Sequence, residues 1–423
     1  MTTTDTVEDQ PATPGRPAAS GWDRSTRIGA LVRYLSAALL ARGADGGAAV
    51  GLVLLAVSPA TGLRNGAATG GLLAAGLTAP HLLGPWVARW LDRARDGRKL
   101  LAAAFAGYGT ALAAAAILLG HARLLLVAAL IGLAGLCGPL LTGGLSSRLA
   151  GIAGAQPRAQ RRAEGWDAVS YGLAGTLGPA AVAGLAALTT PLVAVLALAA
   201  APLAAATITL TLPRTAPSAS SPDQALTVGA TLQLMASHSP LRRVTVATML
   251  TALSTGGLAV VAVAFGAQLS ARPGAGAALV AAFGMGNLAG SLLLTALPLR
   301  GEPERLTARH VAIMAVALGL CAVSPTYPLA MAAFALAGAS NAPFFTATLA
   351  ARSRYAPPQA RAQVFVSMAG LKVAMAAAST AIAGATIGHG PRGLLTVAAA
   401  ITLLAAATAL LDRRISPQQP PTV

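Results

Sequence analysis

The chain has 423 residues, 55% of them hydrophobic and only 10% charged, and a formal net charge of +17. Its mean hydropathy of +0.67 is more apolar surface than a soluble domain could cover, whereas lipid-facing helices need no polar cover. The surplus of Lys and Arg collects in the tails and in alternate loops rather than on one folded face, which excludes a nucleic-acid-binding domain.

Residues 1–27 form a polar tail with Asp5, Glu8 and Asp9. It has no basic stretch followed by an apolar one, so no cleaved signal peptide is expected there. Twelve apolar segments follow, at 31–57, 67–88, 100–120, 122–147, 168–189, 191–212, 244–269, 275–299, 310–325, 327–351, 363–388 and 393–411. Each approaches the roughly 20 residues that a helix needs to cross the hydrocarbon core. The expected class is therefore an all-α membrane protein with twelve transmembrane helices in two pseudo-symmetric six-helix bundles. The first bundle spans 28–212 and the second 244–411, with a central loop at 213–243 and a C-terminal tail at 412–423. The loop begins rich in Pro and Ser, then turns mildly amphipathic over 224–238, which predicts a helix lying along the membrane interface. On one side of the membrane the loops hold just Arg64, Arg123, Arg272 and Arg392. Arg33, Arg42 and Lys372 lie within spans, and the remaining cations sit in the tails and the other loops. That asymmetry predicts a multi-pass protein with both termini in the cytoplasm. Cys137 and Cys321 fall in apolar helices of different halves and are expected to be buried thiols.

The chain also repeats itself. Pro139-x-x-Thr142-x-x-Leu145-x-x-Arg148 returns as Pro343-x-x-Thr346-x-x-Leu349-x-x-Arg352. Arg33 precedes Gly46-Gly47 at the spacing with which Arg243 precedes Gly256-Gly257, and Ala183-Gly184 matches Ala383-Gly384. Duplicated helix bundles are the common architecture of secondary transporters.

The loop after the second segment reads Ala88-Arg-Trp-Leu-Asp92-Arg93-Ala-Arg-Asp96-Gly97-Arg98-Lys99. With the twelve spans and the repeat, it resembles the major facilitator superfamily, whose corresponding loop reads Gly-x-x-x-Asp-Arg-x-Gly-Arg-Arg. Two residues are inserted here, and Ala88 stands where the first Gly belongs. The resemblance covers about residues 28 to 412 and implies that Asp92, Arg93, Gly97, Arg98 and Lys99 form a cytoplasmic gating loop. Gly175-Thr-Leu-Gly178-Pro179 with Gly184 is similar to the Gly-Pro signature of the family's exporters, although Ala174 and Ala183 replace expected glycines; a proline kink with small neighbours explains the same residues.

Ionisable groups inside a bilayer are expensive and need a reason. Asp45 reads as the sole carboxylate well inside a span; three residues after Arg42, it is either a proton carrier or the permanent partner of Arg42. Further proton-coupling candidates are Glu164 and Asp167 at the entry to the fifth segment and His81 behind Pro80 in the second. Lys372 is expected to attract an anionic substrate or to pair with Asp45. Asn287, Asn341, Phe344 and Phe345 are expected to line the cavity. The leading expectation is proton-coupled efflux of a drug or metabolite across a bacterial inner membrane; the alternative is an importer or uniporter on the same fold. A membrane enzyme would need paired carboxylates, a metal cluster or a nucleophile with its base, and none is legible. No nucleotide-binding loop is present, so an ion gradient, most simply of protons, is expected to drive transport without cofactor or metal. The expected partners are a small-molecule substrate and the lipid bilayer, and the expected state is a monomer.

Overall fold

The computed structural model describes residues 24–154, 156–214, 226–270 and 275–415. The predicted N-terminal tail and the Pro/Ser-rich part of the central loop lie largely outside them. The first six spans begin with α1 (Arg24–Ala56), followed by α2 (Gly66–Thr78) and α3 (Gly84–Arg93). They continue with α4 (Gly97–Leu118), α5 (Leu124–Pro139), the short α6 (Leu149–Ala153), α7 (Pro157–Leu188) and α8 (Pro191–Leu210). A separate helix, α9 (Val228–Ser237), stands where the amphipathic stretch predicts one. The second set comprises α10 (Ser239–Thr255), α11 (Leu258–Leu269), α12 (Ala275–Ala296), α13 (Pro303–Val323), α14 (Tyr327–Tyr355), α15 (Arg361–Thr386) and α16 (Pro391–Ile415).

Among the described residues, 11 helices are long and apolar enough to cross a membrane. The second expected span, 67–88, is interrupted: a 3-10 turn over Ala79–Leu83 separates α2 from α3. Pro80 and Pro85 each remove a backbone donor, which favours a break between them. The fifth span starts earlier than expected, at Pro157, so the charged stretch before Ala168 is itself helical. The α5 helix loosens into a π-turn over Leu140–Gly144, directly after Pro139. Side-chain caps start α4 (Asp96 accepts from the Arg98 amide at 3.1 Å), α8 (Thr190 from Val193 at 3.2 Å) and α9 (Thr227 from Ala230 at 3.1 Å), satisfying amides that have no helical partner.

Burial falls into two main cores, one from α1–α8 and one from α10–α16. The sequence repeats occupy equivalent places in them. A Cβ on Gly47 would stand 2.7 Å from the Gly178 carbonyl oxygen, so α1 and α7 touch backbone to backbone; Gly257 meets the Ser379 carbonyl at 2.8 Å, bringing the α10–α11 junction onto α15 in the same way. Cys137 is half-buried and Cys321 buried, both as free thiols.

The two sets of helices meet toward the end of the bundle at which α1 begins and α16 finishes, here called the terminal face. There α3 and the π-turn pack on the start of α15, while α7 packs on α12 and α14. Ala362 and Val366 of α15 belong to the core of the first set.

Candidate functional site

Arg42 is 3% exposed and Asp167 1%, and the two pair across α1 and α7 at 2.7 Å. The carboxylate also accepts from the Tyr34 hydroxyl at 2.7 Å and the Ser146 hydroxyl at 2.8 Å. The guanidinium donates to Ser146 at 2.9 Å and to Ser170, and Tyr171 stacks on it with its ring centroid 3.8 Å away. A buried ion pair persists only when its remaining donors and acceptors are met, and here hydroxyls and an aromatic face meet them. This corrects two expectations. Arg42 does not pair with Asp45, because its side chain reaches α7 instead. Nor is Asp45 the sole intramembrane carboxylate, since the early start of α7 carries Asp167 ten residues into that helix.

Asp45 turns to His81, with the imidazole Nε2 3.9 Å from the carboxylate. The two side chains differ in access: Asp45 keeps 20% exposure and His81 6%. His81 sits in the 3-10 turn of the broken span, with its ring buried. Its carbonyl oxygen stands 2.7 Å from where a Cβ on Gly370 of α15 would lie, so the turn touches the opposite half.

Lys372 does not reach Asp45. Its ammonium lies over the Phe345 ring, 4.3 Å from the centroid, and Phe345 in turn packs edge-on to Tyr171 at 5.1 Å. Asn341 donates to Asn287 at 2.9 Å, joining α14 to α12. Phe344 faces the other way: it is 4% exposed within the second core, because neighbours on a helix cannot share a face. Glu164 is 5% exposed and lies 3.5 Å from Arg161, a turn earlier and nearer the terminal face, so it does not join Asp167's cluster of partners.

At the terminal face Asp92 accepts from the backbone amides of Ala362 at 2.9 Å and Gln363 at 3.0 Å. It thus caps α15 from the other half, where the unpaired amides and the helix dipole favour an anion. Gln363 extends the contact, donating to the Leu226 carbonyl at 2.8 Å and accepting from Thr231 of α9 at 3.2 Å. Arg98 pairs with Asp96 at 2.8 Å and donates to the Leu212 carbonyl at 2.6 Å; the Arg98 side chain and amide, bonded to it, hold the Asp96 carboxyl down at about 2. Gly97 leaves room for the Arg148 guanidinium, whereas Arg93 and Lys99 are exposed.

Neither a protein-family model nor a curated protein sequence matches this chain. Solved structures do. The E. coli fucose:proton symporter superposes with a TM-score of 0.72 at 13% identity, over 93% of this chain and all of that one (100%). The proton:xylose symporter XylE gives 0.69 at 14%, over 92% and 96%. A bacterial homologue of the iron transporter ferroportin, in its outward-facing state, gives 0.71 at 15%, over 91% and 99%.

The fold is that of the major facilitator superfamily.

With two residues inserted after Arg93, the Asp92 carboxylate lies at the start of α15. Tyr34, Ser146, Ser170 and Tyr171 complete the Arg42–Asp167 cluster and escaped the sequence reading, since hydroxyl residues in apolar helices are common and carry no spacing signal. Arg352 escaped it too, except as the end of the repeated motif. It is 3% exposed, with its Nε and one terminal nitrogen buried without hydrogen-bond partners.

Proposed function

We propose that this protein is a secondary transporter that exports a small organic solute by alternating access, coupled to proton entry through Asp45 and His81. The observation that carries the coupling is the contrast between the two intramembrane acids. Asp167 is sealed by Arg42, two hydroxyls and a ring, with both carboxylate oxygens already bonded. Asp45 has no cation locked onto it, only the His81 imidazole 3.9 Å away and the Tyr108 hydroxyl nearby, and a fifth of its side chain is still exposed, which suits a group that takes up and releases a proton. The pair sits at the turn that touches α15, so a change in its charge bears on the contact between the halves. The cation-rich loops support a cytoplasmic terminal face in a bacterial inner membrane. Closure at that face then corresponds to a cavity facing outward.

The test is efflux and uptake of candidate solutes in inverted vesicles under an imposed pH gradient, wild type against Asp45→Asn. The expected result is loss of gradient-driven transport with solute exchange retained. Unchanged coupling in the variant refutes the role of Asp45. Symport in the wild type would reverse the direction and favour an importer, while transport without response to the gradient would favour a uniporter.

A further inference from the structure

Each half has one buried cation paired with an acid, Arg42 with Asp167 in the first and Arg243 with Glu304 at 2.9 Å in the second. In the first half, Arg42 and Asp167 cancel, and Asp45 faces His81. In the second half, two further cations, the half-buried Lys372 and the buried Arg352, have no carboxylate within ion-pair distance among the described residues. Lys372 lies eleven residues into α15, about 16 Å along its axis. Its ammonium is met by the face of Phe345 alone, at 4.3 Å. A cation–π contact of this kind offsets only a part of what an ammonium loses on leaving water. Arg352, nearer the terminal face, is buried and under-partnered, with its guanidinium carbon 5.9 Å from the Phe365 ring. Phe365 and Phe345 belong to one packed cluster, so both cations border the same aromatic patch.

A free cation at this depth is costly and has a purpose when a ligand brings the counter-charge. We propose that the place where Lys372 meets Phe345 binds a small organic monocarboxylate, with Lys372 as the anchor for the acid group and Phe345 as the platform for the body. The amide pair Asn341–Asn287 stands one turn along α14 from Phe345 and supplies neutral hydrogen-bonding groups beside it. Arg352 keeps the route toward the terminal face electropositive. The inference deepens the transport reading and rests on it for its setting.

The test uses the full-length protein purified in detergent and the same protein in proteoliposomes. A panel of monocarboxylates from acetate through benzoate and phenylacetate to decanoate is compared with the matched neutral amides and cationic amines. Binding is read by calorimetry and by the shift in melting temperature, and transport by counterflow. Wild type is expected to bind at least one carboxylate and to discriminate against its amide and amine. Lys372→Gln should weaken that binding about 10- to 100-fold, as expected for a charge-assisted contact, and Lys372→Arg should retain part of it. A ligand anchor also predicts that Lys372→Gln melts no lower than wild type without ligand, since a half-buried charge with no ion pair has been removed; a structural lysine would melt lower. Binding that depends on Lys372 without any counterflow would leave the inference standing and refute the transport reading. Counterflow of amides or amines unaffected by Lys372→Gln would do the reverse. Failure of every carboxylate to bind overturns the inference.

Discussion

Removing Arg42 leaves the Asp167 carboxylate buried with only neutral donors, Tyr34 at 2.7 Å and Ser146 at 2.8 Å. Hydrogen bonds to a charged group are worth about 1.5–3 kcal/mol each, and breaking a buried pair by losing one partner costs about 3–5 kcal/mol. With both side chains at or below 3% exposure there is no solvent to soften the loss, so Arg42→Gln is expected near the upper part of that range. Asp167→Asn should cost a similar amount, because it strands the guanidinium instead. The double variant Arg42→Gln/Asp167→Asn restores a neutral pair that can still bond Tyr34, Ser146 and Ser170. It should recover at least half of the loss, a coupling expected only between residues in direct contact. The assay is thermal and chemical unfolding of the detergent-purified protein. Single variants within about 0.5 kcal/mol of wild type, or a double variant whose loss equals the sum of the singles, would refute a dry, mutually dependent pair.

Two further outcomes follow from the terminal face. Asp92→Asn keeps an acceptor for one amide of α15 but loses the charge at that helix start, a change of about 0.7–2 kcal/mol. Thiol labelling of cysteines introduced along the contact between α3 and α15 should therefore rise about 3- to 30-fold; unchanged labelling would mean that Asp92 does not hold the face closed. His238, between α9 and α10 and 6.2 Å from the Tyr355 ring, has its pKa pulled below the usual histidine value, chiefly by partial desolvation of a side chain that remains exposed. The folded chain then binds fewer protons than the unfolded one below about pH 6.5, so stability falls as the pH drops through that value and the contribution vanishes above it. His238→Gln should flatten the decline in melting temperature between pH 7.5 and 5.5, and parallel profiles for the two proteins would count against this.

The fold was legible because its signals are repeated many times: twelve apolar segments, a loop charge asymmetry and a duplicated motif all point to one architecture. The break in the second span was visible only as Pro80 and Pro85, which fit a kink as well as an interruption. The site was legible in its members and not in its pairings. Arg42 and Asp45 share a helix face, and local spacing therefore joined them, but a guanidinium on a three-carbon stem reached Asp167 on α7 instead. Which side chain wins is decided by helix packing, here the glycine contacts that bring α1 against α7, and one sequence does not encode that in any short window. The partner of Asp92 was hidden for a different reason. It is a pair of backbone amides, so positions 362 and 363 can carry almost any side chain and leave no motif.

The interruption at residues 79–83 makes α3 a short arm on a fulcrum. His81 lies in the fulcrum, and Asp92 lies near the tip, about 12 Å from Gly84 at the helical rise per residue. A tilt of about 10° at the turn would swing Asp92 by about 2 Å, which suffices to part hydrogen bonds that begin near 3 Å. The chain thus has the leverage to convert a small local adjustment beside one histidine into release of a distant helix end, with α2 left seated on its neighbours.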